Sequence, residues 1–383
     1  MHRSFRWFLP AAAAALLLVP VAAQRGGGGA PAGDAAACEA LTNMPNLTIT
    51  SALFKAATDA APQHCYVRGT IGARIRFNMQ LPARGAWNGR LLNIGDGGKD
   101  GALNLSDGQL AQGYAVANSN GGHDSGSEPG ASFGSDLEAV VDFGYRAVHL
   151  TAVASKTLVR AYYGRPADYA YFEGCSTGGR QGLMEAQRFP DDFDGIVAGA
   201  PVFDYGPVNV THVFLAQRLF ADRFAGNLAF DRDGDGVPES LTKTEMLRQA
   251  VLAACDERDG VKDGLIEDPL TCAFKPEVHL AGMMCAGDVN GDACFTKAQV
   301  RMIADMYRGP YDSKGKSIRK GLAIGSEFGW DVSRVAHKGN NMLPGDLSYG
   351  TDHFNYLFYQ QSPGLPPPVA NDISIKLDKR GVL

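Results

Sequence analysis

"YFEGCSTGGRQG", Tyr171 to Gly182, places a serine between glycines with a cysteine directly before it. Gly174-Cys175-Ser176-Thr177-Gly178 is a G-x-S-x-G, and chemistry explains its spacing. A serine on a sharp strand-to-helix turn has strained backbone angles and crowded flanks, so the residues two positions either side must be small. The turn lifts the hydroxyl above a sheet, where the N–H of the following residue, Thr177, can face a developing oxyanion. The context fits. "YAYFEGC" before the serine reads as a short buried strand, and "GRQGLMEAQRFP" after it starts a helix. Ser176 is therefore the expected nucleophile, and Cys175 is not, because Ser176 holds the centre of the turn.

Outward from this point the pattern is strand, helix, strand. "DFGYRAVHLTAVASKTLVRAYY", Asp142 to Tyr163, predicts one long helix with an apolar face, stopped by Gly164-Arg165-Pro166. "DGIVAGAP" is the next strand. Upstream, "ITSALF", "CYVRGTIG", "IRFNMQLP", "GRLLNIGDGG" and "GYAVANSNGG" read as further strands. Short links between alternating strands and helices predict an α/β sheet with parallel strands. The glycine-rich turn Gly95-Asp96-Gly97-Gly98 follows an earlier strand, where a second oxyanion donor belongs. After Pro201 the texture changes to helical pieces separated by loops rich in Asp, Gly and Cys, which reads as a separate helical insertion.

The N-terminus reads as an export signal over residues 1–23. Arg3 and Arg6 precede a short apolar run from Phe8 to Val19, and Val21-Ala22-Ala23 offers a cleavage site before Gln24. The run is shorter than a bilayer span and contains Pro10, so no membrane span is expected after its removal. Residues 24–37 form a flexible Gly/Ala-rich tether. A net charge of −5 and the absence of Lys/Arg clusters argue against a nucleic-acid partner. Oligomeric state is not legible.

Export places the seven cysteines in an oxidising compartment, secreted or periplasmic. Spacing alone does not fix connectivity, but pairing neighbours is the simplest arrangement. It joins Cys38 to Cys65, Cys255 to Cys272 and Cys285 to Cys294, and leaves Cys175 over. "CDERDGVKDGLIEDPLTC" sets Asp256, Asp259 and Asp263 among turn glycines, a pattern suited to a hard cation such as Ca²⁺. "DRDGDGVPES" at Asp231 begins like a calcium loop but has Thr242 at the twelfth position, so it reads as an exposed turn.

The run from Val140 to Pro201, "VVDFGYRAVHLTAVASKTLVRAYYGRPADYAYFEGCSTGGRQGLMEAQRFPDDFDGIVAGAP", closely resembles the tannase and feruloyl esterase family of secreted α/β-hydrolases. The likeness extends from about Cys38 to Tyr359, and Gly-Cys-Ser-x-Gly-Gly is its most specific element. The resemblance implies a catalytic α/β-hydrolase domain over 38–202, a mainly helical, calcium-binding lid over 203–360, and the start of a return to the catalytic domain over 361–383. It implies Ser176 as nucleophile, Thr177 as an oxyanion donor and a small aromatic ester as substrate; Gly97 is chosen as the second donor, with Gly98 nearly as good. Structural Ca²⁺ would be held by Asp256, Asp259 and Asp263 with the carbonyls of Val261 and Leu265. Phe203, Phe214 or Trp330 could line the pocket.

The resemblance also implies that Cys175 bridges to a cysteine beside the catalytic histidine, after the lid. No histidine follows His353 and no cysteine follows Cys294. The expectation is a hydrolase sheet incomplete at its C-terminal end, lacking its catalytic Asp and His and weakly active or inactive as it stands. The alternative is an exported, calcium-stabilised binding protein for aromatic esters. Among the histidines present, His353 and His149 read as structural, and His123 as structural or lining the pocket.

Overall fold

The computed structural model describes residues 33–99 and 101–358; the expected export signal, most of the tether and the segment after 358 lie outside them. Seven strands form one sheet: β1 (Leu47–Lys55), β2 (His64–Ile71), β3 (Ile75–Pro82), β4 (Arg90–Ile94), β5 (Ala115–Ser119), β6 (Tyr169–Cys175) and β7 (Gly195–Gly199). Their order is β1-β2-β3-β5-β4-β6-β7. The first three and β5 pair antiparallel, whereas β5, β4, β6 and β7 run parallel. The chain leaves β4 for β5 on one side, and β6 lies on the other. The carboxyl ends of β4 and β6 therefore flank the point where strand order reverses, which is where open α/β sheets place their sites.

Parallel strands need covered crossovers. Helix α1 (Ala147–Tyr163) supplies one between β5 and β6, burying Ala147, Ala152, Leu158, Val159 and Tyr162 against Phe77, Met79, Leu91 and Phe172. Gly164, at φ 76°, ends it by donating its N–H to the carbonyl of Arg160. The expected helix from Asp142 runs on unbroken into α1, but its first turn is not α-helical. Asp142–Arg146 is a π-helical turn. The reason is tertiary: Arg180 reaches in and donates to the carbonyls of Phe143 and Gly144, at 2.9 and 2.8 Å. Strand β6 also departs from expectation. Ala170, Phe172 and Gly174 are buried, but Tyr169, Glu173 and Cys175 are exposed, as is Val197 on β7. Only one face of this end of the sheet is covered among the described residues.

Helix α2 (Thr177–Arg188) starts at the serine and packs on β6 and β7. Beyond Pro201 a second apolar core forms around α3 (Tyr205–Phe220), α4 (Thr242–Cys255) and α5 (Lys297–Arg308), with Leu215, Leu219, Leu247, Val251, Ile303 and Met306 at its centre. A reciprocal cap between Thr296 and Gln299 starts α5. Helix α6 (Gly345–Asp352) packs against α3 and returns toward the sheet. The three neighbour disulfides are present: Cys38–Cys65 within the sheet core, and Cys255–Cys272 and Cys285–Cys294 in the helical region.

Candidate active site

Ser176 sits at the junction of β6 and α2 with φ 60° and ψ −115°, a conformation that side chains disfavour. Three backbone hydrogen bonds hold it there. Its N–H donates to Gly199 O on β7 (3.0 Å), and its carbonyl accepts from Arg180 N–H (3.0 Å) and Val202 N–H (3.2 Å). The side chain is exposed. The motif glycines do what their spacing predicts. A β-carbon on Gly174 would lie 2.6 Å from the backbone of Gly178, and one on Gly178 would lie 3.0 Å from Asp96 O.

That second contact brings the turn after β4 against the start of α2. Thr177 is buried, and its hydroxyl donates to Gly98 O at 2.7 Å. At the first helical position the Thr177 N–H has no intrahelical acceptor and remains available. Gly97 is exposed beside it in the sequence, and Gly98 is half-buried. The turn is also fixed from behind. Gln181 Oε1 accepts from Asp96 N–H at 2.9 Å, and Gln181 Nε2 donates to Asp96 Oδ2 at 2.8 Å. Asn118 on β5 donates to Ile94 O at 2.9 Å and to Asp96 Oδ1 at 3.3 Å. His123 is buried, with Nε2 3.1 Å from Lys99 O and its ring against Phe133. It braces this turn.

The helical region meets the same turn. Lys99 is buried and donates to Tyr349 O at 2.8 Å, while the Tyr349 hydroxyl lies 3.0 Å from where a Gly98 β-carbon would be. Burial brings the Lys99 ammonium down to about 8, partly offset by the Asp352 carboxylate. Helix α6 therefore covers the turn after β4.

The described histidines are engaged away from Ser176. His64 contacts Pro62 O, His279 contacts Lys275, and His337 contacts Asp331 O. Two imidazole–carboxylate pairs exist among the described residues, His149 with Asp192 at 2.6 Å and His212 with Asp346 at 2.5 Å. His149, expected in core packing, is instead half-buried and hydrogen-bonded to Asp192, which the turn after α2 carries to it. His353 is buried edge-on to Tyr205. Burial, with the charges of Lys99 and His212, takes its imidazole down to about 4. Cys175 is exposed and makes no disulfide.

Two expected pocket residues are not there. Phe214 and Trp330 belong to the second core, at 6% and 2% exposure; Phe203 is exposed. In the acidic loop, Asp256 is buried and accepts from Asp263 and Gly264 N–H groups. Asp259 accepts from Val261 N–H and Asp263 from Leu265 N–H. In the second loop, Asp231, Asp233 and Glu239 bring one oxygen each within 4.8 Å of one another.

Sequence reading missed Gln181, Asn118 and Lys99. Gln181 lies in the motif itself, but its partner is 85 residues away, and no local pattern announces the pair.

Residues 60–348 match the family model described as "Tannase and feruloyl esterase". Mono(2-hydroxyethyl) terephthalate hydrolase from Piscinibacter sakaiensis is 31% identical over 375 residues, covering 85% of this chain and 60% of that protein. Probable feruloyl esterase B-2 from Aspergillus flavus is 33% identical over 321 residues, covering 83% of this chain and 55% of that protein. The crystal structure of feruloyl esterase B from Aspergillus oryzae superposes with a TM-score of 0.65 at 27% identity, covering 85% of this chain and 65% of that one. The chain thus spans 55–60% of the length of these two curated relatives.

Proposed function

Because the chain belongs to the tannase and feruloyl esterase family, we propose that it is the core of an exported serine carboxylic-ester hydrolase acting on esters of gallate- or ferulate-like aromatic acids. The observation that carries this reading is Ser176, held at φ 60° over the sheet's switch point, with Thr177 tied to the turn at Gly98. Ser176 Oγ attacks the ester carbonyl carbon and its proton passes to a base. The carbonyl oxygen, now an anion, is met by the N–H groups of Thr177 and Gly97. Collapse expels the alcohol, which takes the proton, and leaves an acyl group on Ser176. Water then attacks the acyl carbon by the same route in reverse.

The base must be a histidine oriented by a carboxylate, and no described histidine bonds to Ser176. The proposal therefore places the base, and the thiol that bridges to Cys175, in polypeptide other than the described residues. Asp256, Asp259 and Asp263, with the carbonyls of Val261 and Leu265, offer the hard oxygen donors that Ca²⁺ takes. Bound there, calcium would hold the loop closed by Cys255–Cys272 and supply no chemistry. Helices α3 to α6 act as a lid over the acid-binding side of the site. Three disulfides fit an oxidising, extracytoplasmic location. No described helix is long and apolar enough to cross a membrane.

Hydrolysis of methyl ferulate and methyl gallate tests the proposal. The 383-residue chain should turn them over weakly, a version extended by return strands carrying a His–Asp pair should be active, and Ser176→Ala should remove both activities. Robust turnover by the present chain, abolished by Ser176→Ala, would overturn the placement of the base. Substrate binding without turnover in the extended form would favour a binding protein.

A further inference from the structure

Glu185 lies in the third turn of α2 and has no part in the ester chemistry. Its side chain is fully buried, at 0% exposure, and neither carboxylate oxygen has an N–H or hydroxyl donor; the group it meets is the Asp192 carboxyl. An ionised carboxylate left in that state is costly. Two other ligating groups face it. His149 on α1, Glu185, and Asp192 in the turn before β7 bring one ligand atom each within 4.8 Å of one another. His149 Nδ1 lies 2.6 Å from Asp192 Oδ2, and the imidazole stacks on Phe189 at 3.9 Å and 11°, which sets its plane.

We infer that His149, Glu185 and Asp192 form a binding site for one first-row divalent transition ion, of the zinc class. One imidazole and two carboxylates suit such an ion better than Ca²⁺ or Mg²⁺, which take oxygen alone. The His149 and Asp192 side chains keep 29% and 12% of their surface, which leaves the cluster a side open to solvent.

The ligands come from α1, from α2 and from the turn that leads into β7. Helix α2 begins at Ser176, and β7, the strand that the turn leads into, holds the Ser176 N–H through Gly199 O. The ion is a brace behind the nucleophile turn, placed outside the reaction.

The test uses the untagged chain, stripped of metal and kept in excess Ca²⁺ so that the acidic loops are saturated. Zn²⁺ should bind at one equivalent. It should raise the melting temperature, and Co²⁺ at one equivalent should give visible d–d bands. His149→Ala, at a partly exposed position, and Glu185→Gln should each weaken binding at least tenfold and remove the bands, while Asp231→Asn changes neither. Circular dichroism establishes that the variants fold. The proposal fails if the wild-type chain shows no one-equivalent binding, or if binding persists unchanged in His149→Ala. It fails equally if Glu185→Gln melts higher while the wild type ignores Zn²⁺; the three groups are then a proton-sharing cluster.

Discussion

Gln181 and Asp96 hold each other by two hydrogen bonds, one to the backbone and one to the side chain, across 85 residues of sequence. The pair fixes the distance between the turn after β4 and the helix that begins at Ser176. Gln181→Ala removes both of these bonds from the buried Asp96 and should cost about 1–3 kcal/mol in stability. The oxyanion donors are then misplaced, so kcat in an active, extended form should fall roughly 10- to 100-fold with KM little changed. Gln181→Glu sets a second carboxylate against the first, and its loss should ease in acid. Thermal unfolding and ester kinetics measure both effects.

Ser176 stores backbone strain, which its proposed role as nucleophile uses. Its φ of 60° and ψ of −115° are tolerated by glycine without the β-carbon clash. Ser176→Gly should therefore be more stable than Ser176→Ala by roughly 1 kcal/mol, the low end of the usual cost of such strain. Both variants should be inactive. Equal melting temperatures for the two would mean that the turn carries no strain.

The features readable from sequence were those encoded locally. The glycines of G-x-S-x-G state their own sterics, so Ser176 and the β6–α2 turn were legible. Cys38–Cys65, Cys255–Cys272 and Cys285–Cys294 each close a short stretch of chain, and neighbour pairing found them. What escaped depends on distant partners. The π-turn at Asp142–Arg146 exists because Arg180 takes carbonyls from it. His149 has a helical neighbourhood that reads as core, yet its partner Asp192 lies 43 residues on. Phe214 and Trp330 carry no mark in the sequence that separates a second core from a pocket wall.

Two acidic loops invite calcium, and their responses should differ. If Asp256, Asp259 and Asp263 hold the structural ion, saturating Ca²⁺ at a hundredfold excess over Kd adds about 2.7 kcal/mol, seen as a rise of several degrees that EGTA reverses. Asp259→Asn should remove most of that rise, and Asp231→Asn should leave most of it. An unchanged midpoint on adding and then chelating Ca²⁺ would falsify the site at Asp256.

Alkaline pH should stabilise the protein before it destabilises it. Lys99 and Lys243 are both buried, and desolvation takes each ammonium from 10.5 down to about 8. Between about pH 8 and 10.5 the unfolded chain holds protons that the folded protein has released. Stability rises with pH wherever the unfolded state binds more protons, by up to about 1.4 kcal/mol per pH unit for a fully buried lysine such as Lys99. Above about pH 10 the trend should reverse, because burial lifts the Tyr162 phenol to about 12 and also raises Tyr163, so the unfolded chain ionises first. Urea unfolding from pH 7.5 to 10 measures the slope. Lys99→Met should flatten it, although it also removes the bond to Tyr349 O, and Lys243→Met should flatten it independently. If neither variant changes the slope, both amines are already solvated in the folded protein, and helix α6 does not seal the turn after β4.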